Sequence, residues 1–166
     1  MAPGELTELL ADSRPFVRRR SIEVLAKKGE VAVSALTEVL LSGAPPQARR
    51  NAVWALTRIT GAPARNAVRR ALADPDPSVR HAVSHSISVW RDRDAVETLS
   101  AQLRTGDDAL KRVSAEALGR IGDSRAIPHL LAAAGEAAGE VLTHSLTYAL
   151  IEIGDPRATR SGLESR

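Results

Sequence analysis

The chain contains no cysteine and almost no aromatic residues, with two tryptophans, one tyrosine and one phenylalanine in 166 residues. Without thiols there is no disulfide, no thiolate-held metal and no covalent haem attachment. Hydrophobic residues make up 43 % of the sequence but aromatics only 2 %, so a core must be built from Ala, Val, Leu and Ile. No apolar run approaches the ~18 residues that a membrane span needs, and charged residues are 26 % of the chain. The opening stretch, MAPGELTELL, lacks a basic segment followed by an apolar one, so no secretory signal is expected and the expected compartment is the cytoplasm. Catalytic signatures are missing as well: there is no GxSxG, no GxGxxG, no Walker loop and no acid pair placed to share a cleft. No catalytic residue, cofactor or metal is therefore expected.

What the sequence does have is repetition. Asp107 to Leu130, DDALKRVSAEALGRIGDSRAIPHL, holds one complete unit: acids that cap a helix, apolar residues at three- and four-residue steps, a stopping Gly122, and a second helix from about Ala126. With Leu110 as the zero column, steps of 31 lead back to Val79, Ala48 and Val17, and a step of 32 leads on to Leu142. Eight residues beyond each anchor stand Leu25, Leu56, Ile87, Leu118 and Leu150. Two helices per unit at such a period predict an α-solenoid in which no unit buries its apolar face alone. The fold class is thus all-α, a right-handed α-solenoid of about five helix-turn-helix repeats plus a partial sixth. One domain spans 1–166, with repeats near 4–30, 31–61, 62–92, 94–123 and 126–155 and the partial repeat at 156–166. The last piece has no second helix behind it, so the chain is expected to be a cut from a longer protein.

Each second helix is opened by Pro15, Pro46, Pro77, Asp108 or Glu140, residues suited to a first turn with unpaired N–H groups. On a 100° wheel, offsets 0, +4, +7, +8 and +11 from the anchors are mostly apolar and form the core side, which includes Trp90. Offsets +2, +6 and +9 point away. At +2 stand Arg19, Arg50, His81, Arg112 and His144; at +6 stand Glu23, Trp54, His85, Glu116 and Tyr148. Neighbouring second helices ~8–10 Å apart would let these residues line one groove. An outward Trp54 near Arg19 and Arg50 has the character of an interface anchor. His81 and His85 have the i, i+4 spacing of two imidazoles on one metal, but the run HAVSH lacks the Glu of the catalytic zinc motif. They are read as solvated histidines on an interaction face, sensitive to pH near neutrality.

Net charge is +3 but unevenly spread: 15 Lys and Arg stand against 9 Asp and Glu from Met1 to Arg93, and 8 against 11 from Asp94 onward. A basic first half can steer an anionic partner, so nucleic-acid binding is the alternative to a protein partner.

The wording DPDPSVRHAV and AEALGRIGDSRAIPHL resembles the HEAT repeat family, in the form called PBS-lyase HEAT-like repeats. In such solenoids the second helices usually line the concave surface. The resemblance implies an Asp in each inter-helix turn that pairs with an Arg six residues on, matched here by Asp12 with Arg18 and Asp74 with Arg80. Gly43 and Thr105 stand where that acid should be in units two and four, so Arg49 and Lys111 are expected to lack the partner and to be freer to bind something else. NAVWALTRI, HSISVWRD and HSLTYALIEIGDP also resemble the HEAT segment of large bacterial multidomain haem-binding proteins, which would allow a periplasmic home. Bilin lyases and alkylpurine DNA glycosylases are built on similar repeats and are the enzyme alternatives, but the acid among aromatics that a glycosylase needs is approximated only by Trp54, Tyr148 and Glu116, spread over four repeats. The expected function is a non-catalytic scaffold that binds a protein partner through Arg19, Arg50, Trp54, His81, His85, Arg112, Glu116, His144 and Tyr148, with no membrane contact.

Overall fold

In the computed structural model, which describes residues 1–164, every regular element is a helix. The two final positions of the partial sixth repeat, 165 and 166, lie outside the described residues. α1 (Pro3–Glu8) leads to α2 (Pro15–Lys28), α3 (Val33–Leu41) to α4 (Pro46–Thr57), α5 (Ala62–Arg70) to α6 (Pro77–Trp90), α7 (Val96–Thr105) to α8 (Asp108–Ile121), and α9 (Ile127–Glu136) to α10 (Glu140–Ile153), followed by α11 (Pro156–Glu164). The five residues read as helix openers are each the first residue of a second helix. Asp107 caps α8 by accepting the Leu110 N–H at 2.8 Å, and Gly122 (φ 71°) and Gly154 (φ 68°) close α8 and α10 in the left-handed region. In that same column Arg91 holds φ 49°, the left-handed conformation without the freedom of glycine. Among the described residues no helix is long and apolar enough to cross a membrane.

The helices pack as two compact units, Met1–Ser86 and a second that begins at Ile87. In the first, α3 packs on α1, α4 and α5, while α2 packs on α1 and α4. In the second, α9 packs on α7, α10 and α11, while α8 packs on α7 and α10. Each unit therefore has a layer of leading helices and a layer of second helices. Of the column eight residues past each anchor, Leu25, Leu56, Ile87 and Leu118 are fully buried, each worth ~1.5–3 kcal/mol relative to exposure, while Leu150 is half-buried. Trp90, placed on the core side by the wheel, is half-buried. Buried polar side chains tie the layers together: Ser21 donates to the Leu6 carbonyl and Asn51 to the Leu10 carbonyl, both at 2.8 Å.

Offset +9, expected to face outward, is instead where second helices meet. Thr57 Oγ1 lies 2.6 Å from Ser86 Oγ. A Cβ placed on Gly119 would stand 2.9 Å from Ala149 Cα, so α8 and α10 touch where one of them has no side chain. Only small residues allow that approach. Ile151, the +9 residue of α10, is 68 % exposed.

The arginine column at +1 is engaged differently from the expected Asp–Arg pairs. Arg18 Nη1 donates to the backbone carbonyls of Asp12 (2.6 Å) and Ser13 (2.9 Å), and Arg80 Nη1 to those of Asp74 (2.8 Å) and Pro75 (2.9 Å). The guanidinium thus fastens the inter-helix turn by its carbonyls rather than through the Asp side chain. Arg49, expected to be free, is buried. Its Nη1 donates to the Ala44 carbonyl, while Nε and Nη2 form a two-pronged pair with the Asp74 carboxylate of the next hairpin at 2.8 and 2.9 Å. The acid missing at Gly43 is supplied from a neighbouring repeat.

Two predictions follow from these contacts. Asp74→Ala leaves the buried Arg49 cation uncompensated and is expected to lower unfolding stability by ~3–5 kcal/mol. Denaturant titration checks this, and Arg49→Met combined with Asp74→Ala is expected to recover most of the loss. The second concerns acid. Asp12 accepts from the Arg14 backbone N–H, Nε and Nη2, and Asp123 makes the same three contacts with Arg125. These hydrogen bonds hold both carboxyls down to about 2. A folded-state value below the unfolded ~3.9 gives stability that is complete above that value and lost as pH falls toward 2. The thermal midpoint is expected to drop between pH 4 and pH 2, and less steeply in Asp123→Asn.

Candidate interaction faces of the second helices

In the first unit the outward columns place Arg19 on α2, Arg50 and Trp54 on α4, and His81 and His85 on α6. Arg19, His81 and His85 are exposed, whereas Arg50 and Trp54 are half-buried. Trp54 meets His85 edge to face, with ring centroids 5.6 Å apart and planes at 71°. That contact fixes the angle of the indole through a residue on the next second helix. Arg50, one turn before Trp54 on the same face, has its guanidinium steadied by Gln47 Oε1 at 3.0 Å. Glu23, the acid of this column, accepts from Arg20 Nη1 at 3.3 Å. The result is an aromatic platform with arginines on the neighbouring turns. It is suited to carboxylate-bearing side chains beside an apolar contact.

In the second unit the same columns bring Arg112 and Glu116 on α8 and His144 and Tyr148 on α10 to the surface, all of them exposed. His144 and Tyr148, four residues apart, stack with centroids 6.4 Å apart and planes at 21°. Glu116, His144 and Tyr148 line a groove of about 310 Å³ together with Arg120, Ser145 and Glu152. The last three were not singled out by the outward columns. Arg120 and Glu152 both lie at +10 and Ser145 at +3, next to +2 and +6 on the wheel, so widening the arc would have found them. Arg112 lies instead on a separate hollow of about 300 Å³ with Asp108 and Glu140.

The close approach at Gly119 also positions Glu152, whose Oε2 lies 2.8 Å from where a Cβ on Gly119 would stand. The missing side chain lets that carboxylate reach across α8. Among the described residues, no group of three or more His, Asp and Glu converges as a metal site requires.

The sequence profile of a family described as HEAT repeats matches residues 33–88 and 70–151. A comparison with curated proteins gives no match. Among solved structures, the CpcE–CpcF complex of phycocyanin lyase from Nostoc is similar at a TM-score of 0.68 and 24 % identity, over 95 % of this chain and 67 % of that one. Human deoxyhypusine hydroxylase is similar at 0.65 and 24 %, over 91 % of this chain and 62 % of that one. A designed armadillo repeat protein in complex with the peptide (KR)4 is similar at 0.63 and 16 %, over 99 % of this chain and 87 % of its own. At such identities the likeness concerns the fold, an α-solenoid of helical hairpins.

Gly119→Ala is expected to destabilise the protein: the added Cβ meets backbone, which gives way only if α10 shifts, at ~1–3 kcal/mol, against ~1 kcal/mol gained in helix propensity. Gly4→Ala, where a Cβ meets nothing within 4 Å, is the control and is expected not to destabilise. Equal midpoints for the two variants in denaturant would refute the tight contact.

Proposed function

The chain belongs to the HEAT repeats family, and from that premise we propose that it is a non-catalytic scaffold that docks a protein partner on the exposed faces of its second helices. The observation that carries this is Trp54. Both tryptophans are half-buried, and Trp54 is the one that stands on the outward column of a second helix, its ring meeting His85 edge to face and Arg50 standing on the adjacent turn. Exposing part of so large an apolar surface has no folding benefit, and rigid indoles beside guanidinium groups are what interface centres concentrate. The platform is preformed, so a partner need not be met by further ordering of the helices. Arg19 and Arg50 complement acidic groups on the segment that covers Trp54.

Two of the structural neighbours carry enzyme names, the phycocyanin lyase complex and deoxyhypusine hydroxylase. The non-catalytic reading leans on what this chain's exposed faces carry, aromatics set beside charged side chains. A nucleic-acid reading leans on the basic first half, and the burial of Arg49 and the anchoring of Arg18 and Arg80 to turn carbonyls weaken it. Those cations belong to the fold and leave fewer for phosphates. The compartment we propose is the cytoplasm.

The reading is tested by affinity capture with the chain and its Trp54→Ala, Arg50→Ala variant, after nuclease treatment and at low and physiological salt. A protein partner retained by the original chain and lost by the variant, with thermal midpoints within about 3 °C, is the expected outcome, since a ~2 kcal/mol anchor corresponds to roughly thirtyfold in affinity. Recovery of nucleic acid that disappears with salt from both would overturn it in favour of phosphate binding.

A further inference from the structure

The groove between α8 and α10 has a chemistry of its own, opposite in sign to the Trp54 platform. Its aromatic floor is the stacked His144–Tyr148 pair, and the Tyr148 side of it is open, at 56 % exposure. Two carboxylates, Glu116 from α8 and Glu152 from α10, stand in its lining. Neither is engaged in an ion pair or hydrogen bond among the described residues. Arg112 and Arg120 each stand four residues from Glu116 on α8, where a helical ion pair would be ordinary. Arg112 lies on the separate hollow with Asp108 and Glu140, and Arg120 is directed to Ser88 Oγ at 3.5 Å. α10 as a whole carries Glu140 and Glu152 and no Lys or Arg, and from Asp94 onward acids exceed Lys and Arg by 11 to 8.

An open aromatic face flanked by unpaired carboxylates on two helices is complementary to a planar cation. A guanidinium lies flat on a phenol ring and offers N–H groups in its own plane to carboxylates at the ring's edge. A volume of about 310 Å³ admits one such side chain with its aliphatic stem. We propose that this groove holds an arginine side chain from an extended, basic segment of a protein partner, with Tyr148 beneath the guanidinium and Glu116 and Glu152 as its counter-charges. Gly119 contributes by letting Glu152 reach across α8. The inference rests on the reading of the second-helix faces as docking surfaces, but it is independent of Trp54.

The test is fluorescence anisotropy at physiological salt with a labelled peptide of alternating arginine and serine, eight residues long, and its lysine counterpart. Saturable binding of the arginine peptide is expected. Glu116→Gln with Glu152→Gln should weaken it at least tenfold and Tyr148→Ala several-fold, while the lysine peptide should bind the original chain several-fold more weakly. Glu97→Gln with Glu136→Gln, which removes the same charge elsewhere in the unit, should leave binding within twofold, as should Trp54→Ala. No saturable binding, equal loss in the Glu97 and Glu136 variant, or equal affinity for the lysine peptide would each overturn the assignment. The glutamate and Tyr148 variants alter exposed side chains and Trp54→Ala a half-buried one, and melting curves confirm that they fold. If the arginine peptide fails while Trp54→Ala, Arg50→Ala still abolishes partner capture, this groove assignment falls and the docking function stands. If the peptide binds as expected while capture is indifferent to Trp54 and Arg50, the platform reading falls and this one stands.

Discussion

A helical hairpin of this size cannot bury its own apolar face, and everything else in the molecule follows from how closely the next hairpin can come. Here the second helices meet through small residues: Thr57 on Ser86 through their hydroxyls, Gly119 on Ala149 with no side chain on one of the two. Small contacts leave the aliphatic column of Leu25, Leu56 and Leu118 to be sealed completely with no aromatic present. They also leave no room for large side chains at those two contacts. Those side chains stand outside, and that is why a chain so poor in aromatics shows Trp54 and Tyr148 on its faces. Packing sets what the surface can display.

The same closeness accounts for the arginines. A hairpin turn presents carbonyls that no helix satisfies, and an unpaired buried carbonyl costs ~1–3 kcal/mol. A guanidinium offers several donors on a long stem, so Arg18, Arg49 and Arg80 each reach back to the turn before their helix. Where the turn contains Asp74, the carboxylate then becomes available to the preceding hairpin, and Arg49 takes it. A surplus of basic residues in the first half is therefore partly a structural surplus. Counting charges along the sequence overstates the positive surface.

How much of this is legible beforehand depends on whether one helix or two must be known. The period, the helix openers from Pro15 to Glu140, the glycine stop at Gly122 and the buried column through Leu118 are properties of a single unit, and each stands where the sequence places it. The wheel also finds Trp54, His85, Glu116, His144 and Tyr148 on exposed or half-exposed faces. It errs at +9, since a lone helix has no neighbour and Gly119 looks outward until α10 is laid against it. It also misses that Arg49 has a partner, because that partner stands 25 residues away in the next hairpin. Arg120 and Glu152 were hidden by too narrow an arc.

A repeat fixes where side chains stand and leaves open what they are, and the two units use that freedom in opposite ways. Offset +6 is Trp54 with arginine on the preceding turn of α4, but Tyr148 with a glutamate on the following turn of α10. The aromatic gives each face area and rigidity, which carry little information about the partner. The charge beside it decides the sign of what can approach, and a mismatched charge near a desolvated ring is penalised more than a matched one is rewarded. Discrimination on such a scaffold thus comes from exclusion. On the proposed reading an acidic segment would be disfavoured by Glu116 and Glu152, and a basic one by Arg19 and Arg50, while the helices that hold these side chains remain the same in outline.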